Sequence, residues 1–413
     1  MRSPFQRLAI RLLTVVVFTI MIVREGYGQA ITMTPVVDPG TRPTPKVQKA
    51  RPGPWGELEY WEIWLEPPTQ LVLSAAYLSE KGEWRLPLMA PDEVRRYFLT
   101  NGLTEEQVDS LLVPERVREE RDWIAIQPPI ELIESFTPEF RNSFYTALGK
   151  WSFNRFQDKP FALGGDTVRS LADAGRHRIP QDVIDYADRL VYQRGGQNVL
   201  TDYPQVLQKM PAMQTRLELT KLLMRARSMM VRLRITPDSD LDQLRKYWSA
   251  GRRNRDVLPI LNAVASTQDV EYLDIVHLLP PNPRKYLYAY ARASMAVAND
   301  FPDCFWTSFN FLEPESSDRN LDYPVNRLVG TRWLEVKEPL RFGDMIIVEE
   351  IATGEAVHAC TYIADDLVYS KNGLSLLRPF VIEDLSSVLN GYLLPGKTVA
   401  RYYRHRDIVN EID

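Results

Sequence analysis

The pattern of apolar and polar positions divides the 413-residue chain into four parts. Residues 1–28 contain a short uncharged run behind a basic start, and residues 29–54 are rich in proline. Residues 55–280 show mainly the three- and four-residue apolar spacing of amphipathic helices. Residues 286–406 open with a helical pattern and continue with short alternating segments typical of strands. The sequence therefore predicts a signal peptide, a linker, a mostly helical domain of unknown role and a C-terminal α+β domain.

The N-terminus has the features of an export signal. Arginines precede an uncharged run from Leu12 to Val23, and small residues suitable for cleavage follow near Gly28. The run is too short to cross a bilayer, which takes about 20 apolar residues. We expect an exported protein, periplasmic or extracellular. The alternative is an uncleaved anchor at residues 8–23, which would be the chain's only contact with a membrane.

Several segments between residues 55 and 280 carry local signals for a helix or a strand. Alternating aromatic and acidic residues predict a strand within the segment that begins at Trp55. Thr137 followed by a proline marks a helix start, because threonine caps free amide groups and proline fits the first turn. Other predictions include a long basic helix at Met213–Met230 and a pair of helices at Ser239–Trp248 and Arg255–Val264.

Beyond a proline-rich boundary, the pattern predicts a helix that carries a cysteine and packs on a small antiparallel sheet. Asp303 is a good N-cap residue and places Cys304 in the first turn of the following helix. Another helix is expected at Tyr286–Ala298. Four segments are expected to supply the strands of the sheet: residues 340–348, 357–363, 367–371 and 397–403.

Cys304 and His358 are the candidate catalytic pair. The helix dipole and the unpaired amide groups of a first turn favour negative charge, so we expect a lowered thiol pKa and a reactive thiolate. His358 lies on a predicted strand, from which an imidazole can take the thiol proton. A three-residue turn before the next strand would place Asn372 opposite His358, where it could orient the ring. Ser370 and Tyr369 are the weaker candidates for this third position.

Three short motifs follow one another in this region. They are Asp303-Cys304 at a helix start, Phe342-Gly343-Asp344-Met345-Ile346 at a strand start, and His358 followed by Ala359-Cys360-Thr361-Tyr362-Ile363. Together they resemble the core of NlpC-type papain-like cysteine peptidases over residues 286–406. The resemblance implies a papain-like fold and hydrolysis of an amide bond, in cell-wall peptides or another amide substrate. It also implies that the reaction passes through an acyl-enzyme on Cys304.

Two alternatives remain open. Cys304 and Cys360 are the only cysteines, and exported proteins commonly join such a pair in a disulfide. Phe305 and Trp306 stand where the family has small residues that keep the site open. That departure favours a second hypothesis, a non-catalytic envelope binding or scaffold protein that retains the NlpC-like fold.

Composition and charge argue against several functional classes. The net charge is −4 and basic residues are interspersed with acidic ones, so nucleic acid is not expected as a partner. The four histidines and two cysteines lack the spacing of a metal site, so we expect no metal. A Cys-His hydrolase needs no organic cofactor, and none is predicted.

Overall fold

The computed structural model describes residues 46–75, 77–79, 81–292, 302–317, 325–373 and 375–409. The predicted signal peptide, the anchor segment and the linker up to residue 45 lie outside the described residues. From Lys46 onward the chain forms one compact unit. It mixes helices with several antiparallel sheets, which confirms the α+β class in its broad sense.

The strands of the described part form four sheets, and every neighbouring pair is antiparallel. They are β1 (Gln48–Lys49), β2 (Glu57–Leu65), β3 (Trp84–Pro87), β4 (Val117–Glu119), β5 (Trp123–Ile126), β6 (Phe161–Ala162), β7 (Tyr192–Arg194), β8 (Gln197–Leu200), β9 (Ala226–Arg234), β10 (Tyr272–Asp274), β11 (Trp333–Val336), β12 (Met345–Glu350), β13 (Ala356–Ala364), β14 (Leu367–Lys371), β15 (Phe380–Asp384) and β16 (Thr398–His405).

The helices surround these sheets. They are α1 (Thr69–Ser74), α2 (Pro91–Thr100), α3 (Glu105–Leu111), α4 (Ile130–Glu134), α5 (Pro138–Leu148), α6 (Arg155–Asp158), α7 (Val168–Asp173), α8 (Gln181–Leu190), α9 (Tyr203–Gln208), α10 (Met213–Leu223), α11 (Leu241–Trp248), α12 (Val257–Ser266), α13 (Pro281–Tyr286), α14 (Cys304–Phe309), α15 (Val325–Arg332), α16 (Leu385–Tyr392) and α17 (Arg406–Val409). Two 3-10 helices cover Tyr77–Ser79 and Ile275–Leu278.

Local sequence signals located several of these elements correctly. Strand β2 lies within the aromatic segment predicted to be a strand, and α11 and α12 match the predicted helical pair. Thr137 caps α5, since its hydroxyl accepts a hydrogen bond from the Phe140 amide at 3.2 Å. These predictions are confirmed because each rests on a cap, a proline or an apolar period within the element itself.

The predicted long helix at Met213–Met230 is wrong beyond Leu223, where α10 ends. Strand β9 begins at Ala226 and pairs along its whole length with β2. Its alternation sends Val231 and Leu233 into the core and leaves arginines facing the acidic residues of β2. Pairing with a distant strand therefore overrides the local helical pattern.

The predicted helix at Tyr286–Ala298 is wrong over its described part. Helix α13 ends at Tyr286, and Tyr288 adopts a positive φ of 62°. Tyr290 then makes an isolated bridge to Pro379, so the chain runs beside the C-terminal sheet as an extended segment. The predicted helix from residue 293 onward lies outside the described residues.

The six-stranded sheet has the order β11-β16-β12-β13-β14-β15 and carries the candidate site. Helix α14 packs on one face, where Trp306 shares a core with Tyr369. Helix α16 covers the other face, where Val388 shares a core with Cys360. Because successive side chains of a strand alternate between faces, neighbouring residues of β13 and β14 contact different helices.

The core beneath this sheet is shared with the preceding part of the chain. Ile382 of β15 and Val231 of β9 belong to one apolar cluster, which also contains Trp248 of α11. The Ser228 hydroxyl makes two hydrogen bonds with the backbone of Ile382. It donates to the carbonyl oxygen at 3.1 Å and accepts from the amide at 3.0 Å. The sheet is thus packed against residues from both predicted regions.

A candidate cysteine-histidine site

Cys304 begins helix α14, as predicted. The Asp303 carboxylate accepts a hydrogen bond from the Trp306 amide at 2.8 Å and so caps the helix. The helix lies flat on strands β13 and β14, and Cys304 is 5% exposed. The candidate nucleophile is therefore held inside the protein.

The protonation state of Cys304 follows from this burial. Burial raises the pKa of the thiol to about 12, and the charge of Asp303 raises it further. The backbone amides of Ala359 and Phe305 favour the thiolate, but they do not offset the loss of water. The prediction of a lowered thiol pKa is therefore wrong, since a short helix capped by a carboxylate cannot outweigh desolvation. Cys304 is a neutral thiol at neutral pH.

His358 lies on β13 and is 1% exposed. Its ring stacks on Tyr392 of α16, with the ring centroids 4.0 Å apart and the planes inclined by 8°. Burial lowers the pKa of the imidazole to about 4. The ring is therefore uncharged at neutral pH, and an uncharged imidazole can accept a proton.

The two nitrogens of His358 have different surroundings. Nε2 lies 3.4 Å from Ser370 Oγ, whereas Nδ1 is buried without a hydrogen-bond partner among the described residues. A hydrogen bond donated from Nε2 leaves the lone pair on Nδ1. No hydrogen bond joins Nδ1 to Cys304, although the Cys304 sulfur interacts with the amide of Ala359, the next residue.

The hairpin of β13 and β14 has the predicted register, as the pairing of Thr361 with Tyr369 shows. The described ladder stops before it reaches His358 and Asn372. The structure brings Ser370, one of the two weaker candidates, to the imidazole, whereas Asn372 makes no hydrogen bond with the ring. Tyr369, the other weaker candidate, packs in the apolar cluster with Trp306. The third position near His358 is thus occupied by a hydroxyl group.

Asn372 belongs instead to a polar network beside the imidazole. Its Nδ2 lies 3.5 Å from Glu383 Oε1, and its Oδ1 lies 3.5 Å from the Tyr392 hydroxyl. The Ser370 hydroxyl also hydrogen-bonds Glu383. These contacts connect His358 to Glu383 through Ser370, and Tyr392 closes the network by stacking on the imidazole.

Glu383 is a member of this network that the sequence analysis missed. Burial raises the pKa of its carboxyl to about 7, although hydrogen bonds from Ser370 and Asn372 and the charge of Arg227 lower it. The available signal was the apolar run from Phe380 to Ile382, which is typical of a strand. Placing that strand next to β14 would have brought Glu383 to the site.

Lys371, which the sequence predicts to be a solvated lysine at the end of a strand, is instead fully buried. Its ammonium group donates to the backbone oxygens of Gly373 at 2.7 Å and Ser375 at 3.1 Å. Burial lowers its pKa to about 8, and the charge of Asp303 acts in the opposite direction. Lys371 therefore holds the turn that follows β14.

Both cysteines are buried free thiols, so the disulfide alternative is not formed in this structure. Burial also raises the pKa of Cys360. Cys360 packs in the apolar cluster under α16, with Val368 and Val388. It has the surroundings of a core residue.

A cavity of about 400 Å³ lies next to the polar network. Its wall combines residues of the C-terminal sheet and α16 with residues from β9 and from the loops around β6 and β8. Cys304 and His358 do not line it. Its polar and charged wall includes Gln197, Arg227, Asn372, Arg378, Glu383 and Tyr392.

The described part of the chain holds neither a metal-binding cluster nor a membrane-spanning helix. No group of three or more His, Cys, Asp or Glu residues there is placed to hold a metal ion. No helix among those residues combines the length and the apolar character that a membrane crossing requires.

Comparisons with known proteins found no relative of this chain. No family model, no curated protein and no solved structure matches the chain.

Proposed function

We propose that the chain is an exported cysteine hydrolase that cleaves an amide bond through an acyl-enzyme. The observation that supports this most is the buried, unpartnered Nδ1 of His358, one residue from the amide that contacts the Cys304 sulfur. A thiol nucleophile needs a free basic nitrogen that can take its proton, and the strand that carries His358 is the one that the Cys304 sulfur contacts. The motifs of the C-terminal sequence favour cell-wall peptides or another amide as the substrate.

The protonation states suggest how such a reaction would run. At rest the proton stays on sulfur, because the thiol pKa is raised and the imidazole pKa is lowered. Attack of sulfur on the carbonyl carbon would pass that proton to Nδ1, and the imidazolium would then protonate the departing amine. Water would hydrolyse the thioester, which releases the acid and restores the thiol.

The polar network can support the charge that appears on the ring. Glu383 reaches Nε2 through the Ser370 hydroxyl, so an ionised carboxylate there would stabilise the imidazolium. Tyr392 both lines the cavity and stacks on His358. Movement of this ring would connect the cavity with the imidazole, which makes Tyr392 the side chain that controls access in this proposal.

The test uses the described unit, residues 46–409, and a library of short peptide amides with a fluorogenic leaving group. We expect slow hydrolysis that Cys304→Ala and His358→Gln abolish and that Cys360→Ala preserves. Mass spectrometry of the quenched reaction should find the acyl group on Cys304. Hydrolysis that survives Cys304→Ala, with no acyl group on the protein, would remove Cys304 from the mechanism.

The burial of the thiol favours a second candidate, a non-catalytic binding or scaffold protein. Cys304 is 5% exposed and its pKa is raised to about 12, so a reactive thiolate is scarce at neutral pH. In that case no peptide amide in the library is cleaved, and Tyr392→Ala, which would open the way to His358, does not create activity. Cleavage that rises in Tyr392→Ala would instead support the hydrolase.

A further inference from the structure

The wall of the cavity beside the polar network carries two arginines, Arg227 and Arg378, and one carboxyl group, Glu383, whose pKa burial raises to about 7. Arg378 lines the cavity and donates to the backbone oxygen of Ala162 at 3.3 Å. Among the residues that the structure describes, no carboxylate forms a salt bridge with Arg378. Arg227, on the same wall, is held by Glu62 at 2.9 Å and Asp384 at 2.6 Å. Arg378 is therefore the cation that this cavity leaves without an acidic partner in the described part of the chain.

The cavity wall also offers neutral hydrogen-bonding groups near that cation. Gln197, Asn372 and Tyr392 contribute amide and hydroxyl groups to it, and its volume of about 400 Å³ is within the usual range for small-molecule sites. Val381 and Val388 supply apolar surface. A ligand with one anionic end and a short polar or apolar body would satisfy both parts of this wall.

We propose that the cavity binds a small organic carboxylate, with its carboxylate group paired to Arg378 and its body directed along Asn372 and Tyr392. A guanidinium group suits this role, because its planar N–H groups match the two oxygens of a carboxylate. The binding does not depend on turnover at Cys304. If the proposed hydrolysis also takes place, the ligand is the acidic part of the substrate or the acid that the reaction releases.

The test measures binding to the full chain carrying Cys304→Ala, so that hydrolysis cannot interfere. N-acetylglycylglycine is titrated calorimetrically beside its C-terminal amide and inorganic phosphate. We expect the acid to bind at least ten-fold more tightly than the amide, and Arg378→Gln to remove that preference. Arg401→Gln is the matched control, because Arg401 pairs with Glu335 on β11 and Glu349 on β12 and does not line the cavity.

The melting temperature of each variant shows whether Arg378 is needed for the fold through its contact with Ala162. If Arg378→Gln fails to fold, Arg378→Lys replaces it, because lysine retains the positive charge. The ratio of the affinities of the parent protein for the acid and for the amide then still tests the proposal. Equal affinity for acid and amide would overturn the proposal, as would a folded Arg378→Gln variant that keeps the preference. Phosphate binding as tight as that of the acid would also overturn it, since the site would then be a general anion site.

Discussion

At the residue scale, burial decides the charge of the candidate pair. The thiol of Cys304 stays protonated and the imidazole of His358 stays neutral, because neither ion would be solvated where it lies. The partial charges at the start of a six-residue helix are too weak to reverse this. The pair therefore differs from a thiolate-imidazolium ion pair, and this difference can be measured.

The first prediction concerns the reactivity of that thiol. In a Cys360→Ala background, iodoacetamide should label Cys304 more slowly at pH 7 than it labels the same chain unfolded in urea. The rate should keep rising with pH through pH 10, because only the thiolate reacts and the pKa of Cys304 is raised to about 12. Mass spectrometry follows the labelled fraction. A rate that is already fast and constant at pH 6 would contradict the protonated thiol.

The second prediction is that His358 and Glu383 make the stability respond to pH in opposite directions. The unfolded state protonates histidine below its ordinary pKa of 6.5, whereas folded His358 resists protonation down to about 4. Stability linked to His358 is therefore complete above pH 6.5 and falls by about 3 kcal/mol as the pH drops to 4. Glu383 has its pKa raised from 4.5 to about 7, so its contribution is complete below pH 4.5 and is lost as the pH rises to 7.

Denaturant unfolding of two variants separates these contributions. Relative to the unsubstituted protein, Glu383→Gln should become more stable as the pH rises from 4.5 to 7. His358→Gln should become relatively more stable as the pH falls from 6.5 to 4. The effect at Glu383 should be the smaller, because its side chain borders the cavity. Parallel pH profiles for all three proteins would show that folding displaces neither pKa from its ordinary value.

At the element scale, helix α14 depends on one side chain that has two effects. The Asp303 carboxylate caps the helix through the Trp306 amide, and its charge raises the pKa of Cys304. Asparagine caps almost as well as aspartate but carries no charge. The cap and the charge can therefore be separated by substitution.

The third prediction follows from that separation. Asp303→Asn should keep the free energy of unfolding nearly unchanged and speed the alkylation of Cys304, because the negative charge beside the sulfur is gone. Asp303→Ala should also speed alkylation but should cost about 1 kcal/mol through the lost cap. Denaturant unfolding and labelling rates check both. Equal rates of Cys304 alkylation in Asp303→Asn and the parent protein would show that the charge of Asp303 does not change the pKa of the thiol.

The elements differ in how far the sequence could predict them. The cap at Asp303 and the register of the β13–β14 hairpin were predictable, because a cap and a short turn are fixed by neighbouring residues. The first half of strand β9, up to Met230, was predicted as helix, since its partner β2 lies far away in the sequence. The prediction of a lowered pKa for the Cys304 thiol failed for the same reason. The thiol is buried by a sheet whose strands lie elsewhere in the sequence.

At the scale of the whole molecule, the candidate site is part of a core that begins far upstream. Tyr247 donates to the Ile363 oxygen at 2.6 Å, and Ser228 bonds the backbone of Ile382. Leu367 and Phe380 share an apolar cluster with residues of β2, β9 and α11. The face of the sheet under α14 is thus completed by the part of the chain that precedes residue 286.

The fourth prediction is that residues 286–409 do not fold alone, whereas residues 46–409 do. Removing the upstream part would expose the apolar face that carries Leu367 and Phe380 and would leave the buried backbone groups of Ile382 without Ser228. The shorter fragment should bind a hydrophobic dye and melt without a cooperative transition, while the longer one should melt in a single step.

A cooperative transition in the shorter fragment, with native near-ultraviolet dichroism, would instead establish the sheet as an independent domain. The residues before 286 would then not be needed for folding of the sheet, and their contribution to this region would be the part of the cavity wall that contains Gln197 and Arg227.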